Sequence, residues 1–266
     1  MKANYHTHTT FCDGKNTPEQ IVQAAIEKGM DAIGFSGHGY TEFDLRYCMK
    51  DTEGYIREIK RLKEVYGNRI RIFLGVEEDA FWLQNRKDFD YIIGSCHYLL
   101  VDGVYHPVDS SHAHFKRCLD LFSYDAVRLA HAYYAPFCSY ICRRKPDIVG
   151  HFDLVTKFDE LETSLFLENP AYHAVAEQYL RAAAASGCLF EVNTGAISRG
   201  YRTAPYPCEN LLHILKKNGN GLVLASDSHN ADTLDYGFEE ARRYLKELGF
   251  SHVYVLGSGG FEKDVL

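Results

Sequence analysis

Apolar positions along this 266-residue chain fall into short, dense runs separated by longer stretches of helical periodicity. Runs of β type occupy 3–7, 32–35, 70–76, 91–95, 147–149, 189–192, 222–225 and 252–256. Between several of them the spacing predicts amphipathic helices, from Pro18 to about Gly29 and over 57–66, 171–186, 210–217 and 238–248. The first opens on Thr17-Pro18-Glu19-Gln20, a capping box with proline at the first helical position. The segment 110–144 is long enough for two helices and reads as an insertion, at about 108–146, between neighbouring strands. Strands that alternate with helices predict parallel pairing, in either a doubly wound sheet or a barrel. No repeat, low-complexity tract or Pro/Gly/Ser linker divides the chain, so a single domain over 1–266 is expected.

Composition narrows the function classes. With Lys+Arg 29 against Asp+Glu 36, the formal net charge is −7, which argues against nucleic acid or an anionic membrane as partner. No apolar run approaches a membrane span, and the N-terminus lacks the apolar stretch of a signal peptide. The eight cysteines are scattered with no CxxC pair, as suits a reducing cytoplasm. Cys138 and Cys142 would share a helix face as two buried thiols. Thirteen histidines beside the acidic excess point instead to metal.

The placement of those histidines chooses between the two architectures. Tyr5-His6-Thr7-His8 closes the first run, and residues two apart in a strand face one way. Asp13 follows in a turn. His38 comes just after the second run, Glu77 and Glu78 after the third, His97 after the fourth, His151 after the fifth, and Asp227 and His229 after the seventh. A doubly wound sheet would hold these groups in a line, whereas a barrel converges them at the C-terminal ends of its strands. A barrel-like closure is therefore expected. His112, His114, His173, His213 and His252 sit on helical patterns or at a strand start and read as non-ligands, and His106 and His131 lie at no strand end. Six imidazoles and three carboxylates without thiolate suit Zn, Mn or Fe. Nine ligands exceed what one ion takes, so two or three divalent ions are implied. Closely spaced ions suit phosphate-ester hydrolysis, because they acidify a water and neutralise phosphoryl charge.

His6-Thr7-His8, the His38 motif, Gly75-Val76-Glu77, Gly94-Ser95-Cys96-His97, Gly150-His151-Phe152-Asp153 and Ser226-Asp227-Ser228-His229 resemble, in order, the motifs of the PHP (polymerase and histidinol phosphatase) superfamily. Asp13 and the Gly-His-x-Asp-Leu motif look like its histidinol-phosphatase branch. The resemblance implies a distorted, TIM-like (β/α)7 barrel with a trinuclear metal site at the strand C-terminal ends. It implies His6, His8, Asp13, His38, Glu77, His97, His151, Asp227 and His229 as ligands, with Glu77 preferred to Glu78. Many relatives carry Thr-Asp-His where this chain has Ser36-Gly37-His38, so another group must orient His38.

Phosphate also needs cationic side chains. Arg199 follows the sixth run, where the resemblance too implies a phosphate-binding arginine; Lys157 is a second candidate, with Arg202 behind it. Tyr98, Tyr105 and Tyr40 are candidates for lining the organic end of a substrate. The expected reaction is hydrolysis of a small-molecule phosphate monoester, L-histidinol phosphate, in histidine biosynthesis. Asp227, His229 or Asp153 would supply the leaving group's proton. The alternatives are a phosphoesterase acting on nucleotides or sugar phosphates, and a non-catalytic metal-stabilised module. Three ions would carry the net charge to about −1, so the acidic excess belongs largely to the cluster.

Overall fold

The computed structural model describes residues 1–161 and 164–266. Strands β1 (Ala3–Asn4), β2 (Ala32–Phe35), β3 (Arg71–Asp79) and β4 (Tyr91–Ser95) lie side by side. The hairpin β5 (Tyr98–Val101) and β6 (Val104–Pro107) follows, and β7 (Ile148–Val149), β8 (Leu189–Asn193) and β9 (Leu222–Ala225) complete a seven-stranded sheet. Its order is β1-β2-β3-β4-β7-β8-β9, and every pairing is parallel. Past the strand ends, Thr7 and Ser228 form a parallel bridge, with His8 N donating to Ser228 O at 2.8 Å and Ser228 N to His6 O at 3.1 Å. The sheet is thus a nearly closed barrel, and the distorted (β/α)7 architecture is correct.

Helices α1 (Pro18–Glu27) and α2 (Thr52–Tyr66) cover the first strands. The Thr17 capping box forms as expected, whereas α2 starts at Thr52 because the Asp51 side chain caps it by accepting from Gly54 N. Two helices, α3 (His112–Leu121) and α4 (Ala126–Arg144), fill the long segment before β7. The added structure is wider than 108–146, because the β5–β6 hairpin belongs to it. After β7 come α5 (Pro170–Ala184), the short α6 (Gly195–Ser198), α7 (Glu209–Asn218) and α8 (Phe238–Glu247). Of the two thiols on α4, Cys138 is buried but Cys142 is exposed, which corrects the expectation of a shared buried face.

Two strand readings change in ways that shape the site. The first strand ends at Asn4 because the Asn4 side chain takes over the ladder's bonds: Oδ1 accepts from His6 N, and Nδ2 donates to Thr7 Oγ1 and Ser226 Oγ. The eighth run is not a barrel strand. It is β10 (His252–Gly257), paired antiparallel with β11 (Gly260–Val265) through a glycine-rich turn. Its Val255 and Leu256 pack with Tyr5, Tyr91, Ala3, Ala32, Ile148 and Val223, at or near the strand starts, and plug that mouth of the barrel. Tyr91 crosses the interior, its hydroxyl donating to Tyr5 O at 2.5 Å, and a Cβ on Gly75 or Gly34 would collide with it. Apolar filling thus closes the N-terminal mouth, and polar side chains gather at the other.

Candidate metal centre and active site

Strand ends deliver one or two ligand-capable groups each to the open mouth. His6 and His8 come from the segment after β1, Asp13 from the next turn, His38 from the end of β2, Glu77 from within β3, His97 from β4, His151 from β7, and Asp227 and His229 from β9. They form four overlapping groups whose ligand atoms lie within 4.8 Å of one another: His6 with Glu77 and His151; His38 with Glu77 and His97; His6 with His8 and Asp227; and His8 with Asp13, His38 and His229. None of the other seven histidines joins such a group among the described residues.

Glu77 is the hub. Its Oε1 lies 3.0 Å from His151 Nε2 and 3.2 Å from His97 Nε2, and its Oε2 lies 2.8, 3.3 and 3.6 Å from His38 Nδ1, His6 Nε2 and His8 Nε2. Asp227 Oδ1 lies 3.1 Å from His8 Nε2 and 3.6 Å from both His6 Nε2 and His229 Nδ1. Asp13 Oδ2 lies 3.2 Å from His229 Nε2 and 3.7 Å from His38 Nε2. Although these contacts are close, His6 Nε2, His8 Nε2 and Glu77 Oε2 are buried without an aligned hydrogen bond. Leaving such atoms unsatisfied costs about 1–3 kcal/mol each. Lone pairs aimed at a shared space rather than along N–H···O lines are what a cation would satisfy, so the residues fit divalent metal.

The preferences of Glu77, Asp227 and His8 agree with that fit, whereas the neighbouring carboxylates raise His6, His38 and His97. Burial pushes the Glu77 carboxyl up, but the charges of His6, His38 and His97 outweigh it and hold the group well below the usual carboxylate range. Asp227 is held well below that range against burial by Arg199 and His6. Burial and the neighbouring His229 and His38 lower His8, favouring the neutral imidazole that a metal needs.

A second layer fixes the rings. His6 Nδ1 lies 2.8 Å from Glu191 Oε2, and Glu191 Oε1 accepts from His151 N at 2.5 Å and Asn193 Nδ2 at 2.7 Å. Asp79 Oδ2 stands 3.2 Å from His97 Nδ1. Among the described residues no carboxylate besides Glu77 and Asp13 pairs with His38; the Tyr47 ring meets it edge-on, with centroids 4.6 Å apart. The sequence reading passed over Glu191 and Asp79, although both were signalled by strand alternation: Asp79 is two residues past Glu77, and Glu191 alternates with Phe190 and Val192. Glu191→Gln keeps the shape but turns an acceptor into a donor, and is expected to weaken metal affinity roughly 10–100-fold. Competition against a chelator measures this, and an unchanged affinity would deny Glu191 that role.

Over the cluster lies a cavity of about 410 Å³ whose lining includes Asp13, His38, His97, His151, Asp227 and His229 together with Arg199, Lys157 and Tyr98. Arg199 Nη2 donates to Asp227 Oδ2 and Nη1 to Asp227 O, both at 2.9 Å, while its buried Nε has no partner among the described residues. Tyr98 donates to Asp44 at 2.9 Å. Asp153 requires a correction: it is fully buried outside this lining, accepts from Cys208 N at 2.9 Å and lies 3.8 Å from Arg202 Nη1, so it has no route to a leaving group. Arg202 likewise turns inward, donating to Thr156 Oγ1 at 2.7 Å with its guanidinium 4.7 Å over the Tyr206 ring. Tyr40 and Tyr105 also stay outside the lining, against Trp82 and Phe43.

The PHP domain profile matches residues 4–195, most of the chain and the part that holds seven of the nine convergent groups. The chain belongs to the PHP domain family. This PHP chain is 26% identical to the Schizosaccharomyces pombe protein named "probable histidinol-phosphatase", over 97% of its own length and 90% of that protein's. It is 23% identical to the histidinol-phosphatase of Lactococcus lactis, over 99% and 97% of the two chains. The crystal structure of the Lactococcus lactis histidinol phosphate phosphatase, complexed with zinc, L-histidinol and phosphate, superposes with a TM-score of 0.74 at 22% identity, covering 98% of this chain and 99% of that one. The PHP fold extends past the profile match, since β9 carries Asp227 and His229 to the same mouth.

Proposed function

We propose that this PHP protein hydrolyses L-histidinol phosphate to L-histidinol and phosphate. The reading rests on one observation above the others: nine ligand-capable groups converge beneath a cavity that also holds Arg199 and Lys157. Near-full-length likeness to proteins named for that activity supports the choice of ester. His6, His8, Asp13, His38, Glu77, His97, His151, Asp227 and His229 would hold two or three ions of Zn, Mn or Fe, Glu77 being the carboxylate that belongs to two of the groups. Bound ions would supply an acidified water and charge neutralisation at the phosphoryl oxygens.

The chain's own groups do the rest. Arg199 and Lys157 bind and orient the phosphoryl oxygens from the cavity wall. The alcohol leaves as a poor leaving group and takes a proton. Asp227 and His229, at the metal edge, are the candidates to supply it through water. The test is metal analysis of purified protein joined to a phosphate-release panel of L-histidinol phosphate, nucleotides and sugar phosphates. Two or more tightly bound ions per chain and fastest release from L-histidinol phosphate are expected. No more than one ion in metal-replete preparations would overturn the cluster, and no release from L-histidinol phosphate would overturn the substrate.

A further inference from the structure

Four carboxylates line the cavity, and three of them are fully engaged. Asp13 and Asp227 belong to the metal-capable groups. Asp44 accepts from Arg46 N at 3.1 Å, Arg46 Nε at 2.9 Å, Arg46 Nη2 at 2.6 Å and Tyr98 Oη at 2.9 Å, which fills its acceptor positions. Asp109 differs. Its single side-chain contact among the described residues is Oδ2 with Lys157 Nζ at 3.4 Å, and that ammonium makes its shorter bond, 2.7 Å, to the Asp109 backbone carbonyl. Asp109 lines the cavity, and Oδ1 has no donor among the described residues.

An open carboxylate is a liability where a phosphate dianion must bind, because like charges at short range disfavour the complex. Lys157 cannot cancel both, since Arg46 and Arg199, the other cationic side chains of the lining, are already paired with Asp44 and Asp227. The arrangement becomes favourable when the ligand itself brings a cation beside its phosphate. We infer that Asp109 is the specificity residue that receives the protonated amine of the leaving-group alcohol, an inference that rests on the phosphomonoesterase reading. The substrate class is then the phosphate ester of a 1,2-amino alcohol. Its amine stands roughly 4–5 Å from phosphorus by bond lengths, a reach that matches a carboxylate next to the lysine that touches the phosphate. Sugar phosphates and nucleotides bring hydroxyls or further negative charge and gain less from Asp109.

The test compares L-histidinol phosphate with its des-amino counterpart, 3-(imidazol-4-yl)propyl phosphate, on wild type, Asp109→Asn and Lys157→Met, all metal-loaded. Asp109→Asn should lower kcat/KM for the aminated ester at least tenfold, the scale of a lost charge-assisted hydrogen bond, and leave the des-amino ester unchanged or faster. Lys157→Met should slow both esters alike. As a second readout, calorimetric affinity for the alcohol L-histidinol should fall at least tenfold in Asp109→Asn, with that for 3-(imidazol-4-yl)propanol unmoved. Equal losses on both esters would overturn the inference, reducing Asp109 to a support for Lys157, and so would no change on either. If wild type released no phosphate from L-histidinol phosphate, the substrate assignment alone would fail. Phosphoethanolamine against ethyl phosphate would then decide Asp109 by the same ratio.

Discussion

Glu77→Gln is expected to lower phosphate release roughly a thousandfold or more, the scale of losing a central electrostatic group in a dry site, and to strip most of the bound metal. The substitution changes volume little, so packing is not what it probes. Glu77 is fully buried and stands within 3.6 Å of five imidazoles, two on Oε1 and three on Oε2. Among the described residues no other carboxylate is shared so widely; Asp227 meets three imidazoles and Arg199. Glutamine removes the negative charge that the ligand set needs and places an NH₂ donor where one lone pair would meet a bound cation. It also removes the leading charge that raises His38 and His97, so these two rings would be neutral over a wider pH range without gaining a metal, while Glu191 continues to raise His6. Metal content by elemental analysis and kcat on L-histidinol phosphate are the two readings. Full metal occupancy with activity within tenfold of wild type would end the hub role.

How much of this was legible beforehand follows from what kind of signal each residue leaves. His6, His38, His97, His151 and Asp227 each fall at the end of an apolar run, so the repeat of one local rule exposed them together. The curvature that turns those ends toward one point leaves no local trace, and the barrel came from asking what arrangement could use so many ligands. Strand periodicity found 252–256 but not its place, because an apolar alternation looks the same in a barrel strand and in a hairpin that plugs one; the glycines at 257, 259 and 260 hint at the turn. Asp153 misled in the opposite direction. Lying two residues from His151, it looked available, but a 3₁₀ turn at Leu154–Thr156 carries its carboxylate to Arg202 and the Cys208 amide, a partner 55 residues away in the chain. Asp109 left no signal, because an open carboxylate is recognisable only against the satisfied ones around it.

Arg144→Met should destabilise the protein by about 3–5 kcal/mol, the usual result of orphaning a buried charge, while leaving metal content and kcat near wild type. Glu78 follows Glu77 in β3 and therefore points to the other side of the sheet, away from the cluster. It is fully buried there. Arg144 donates to it twice, Nε to Oε1 and Nη2 to Oε2, each at 2.7 Å; Tyr140 Oη donates at 2.7 Å and Gln84 N at 2.6 Å. Both Tyr140 and Arg144 belong to the last turns of α4, so this carboxylate ties the inserted helix to the strand that carries the hub. Methionine retains much of the stem's packing and removes the charge. Two neutral donors would remain around a desolvated carboxylate, too few to replace the guanidinium's charge. Urea midpoints measure the deficit, and Arg144→Met with Glu78→Met should recover most of the loss, because an apolar pair leaves no charge behind. A deficit under about 1 kcal/mol, or no recovery in the double variant, would mean that Glu78 is solvated in solution and that α4 is anchored by its apolar face alone.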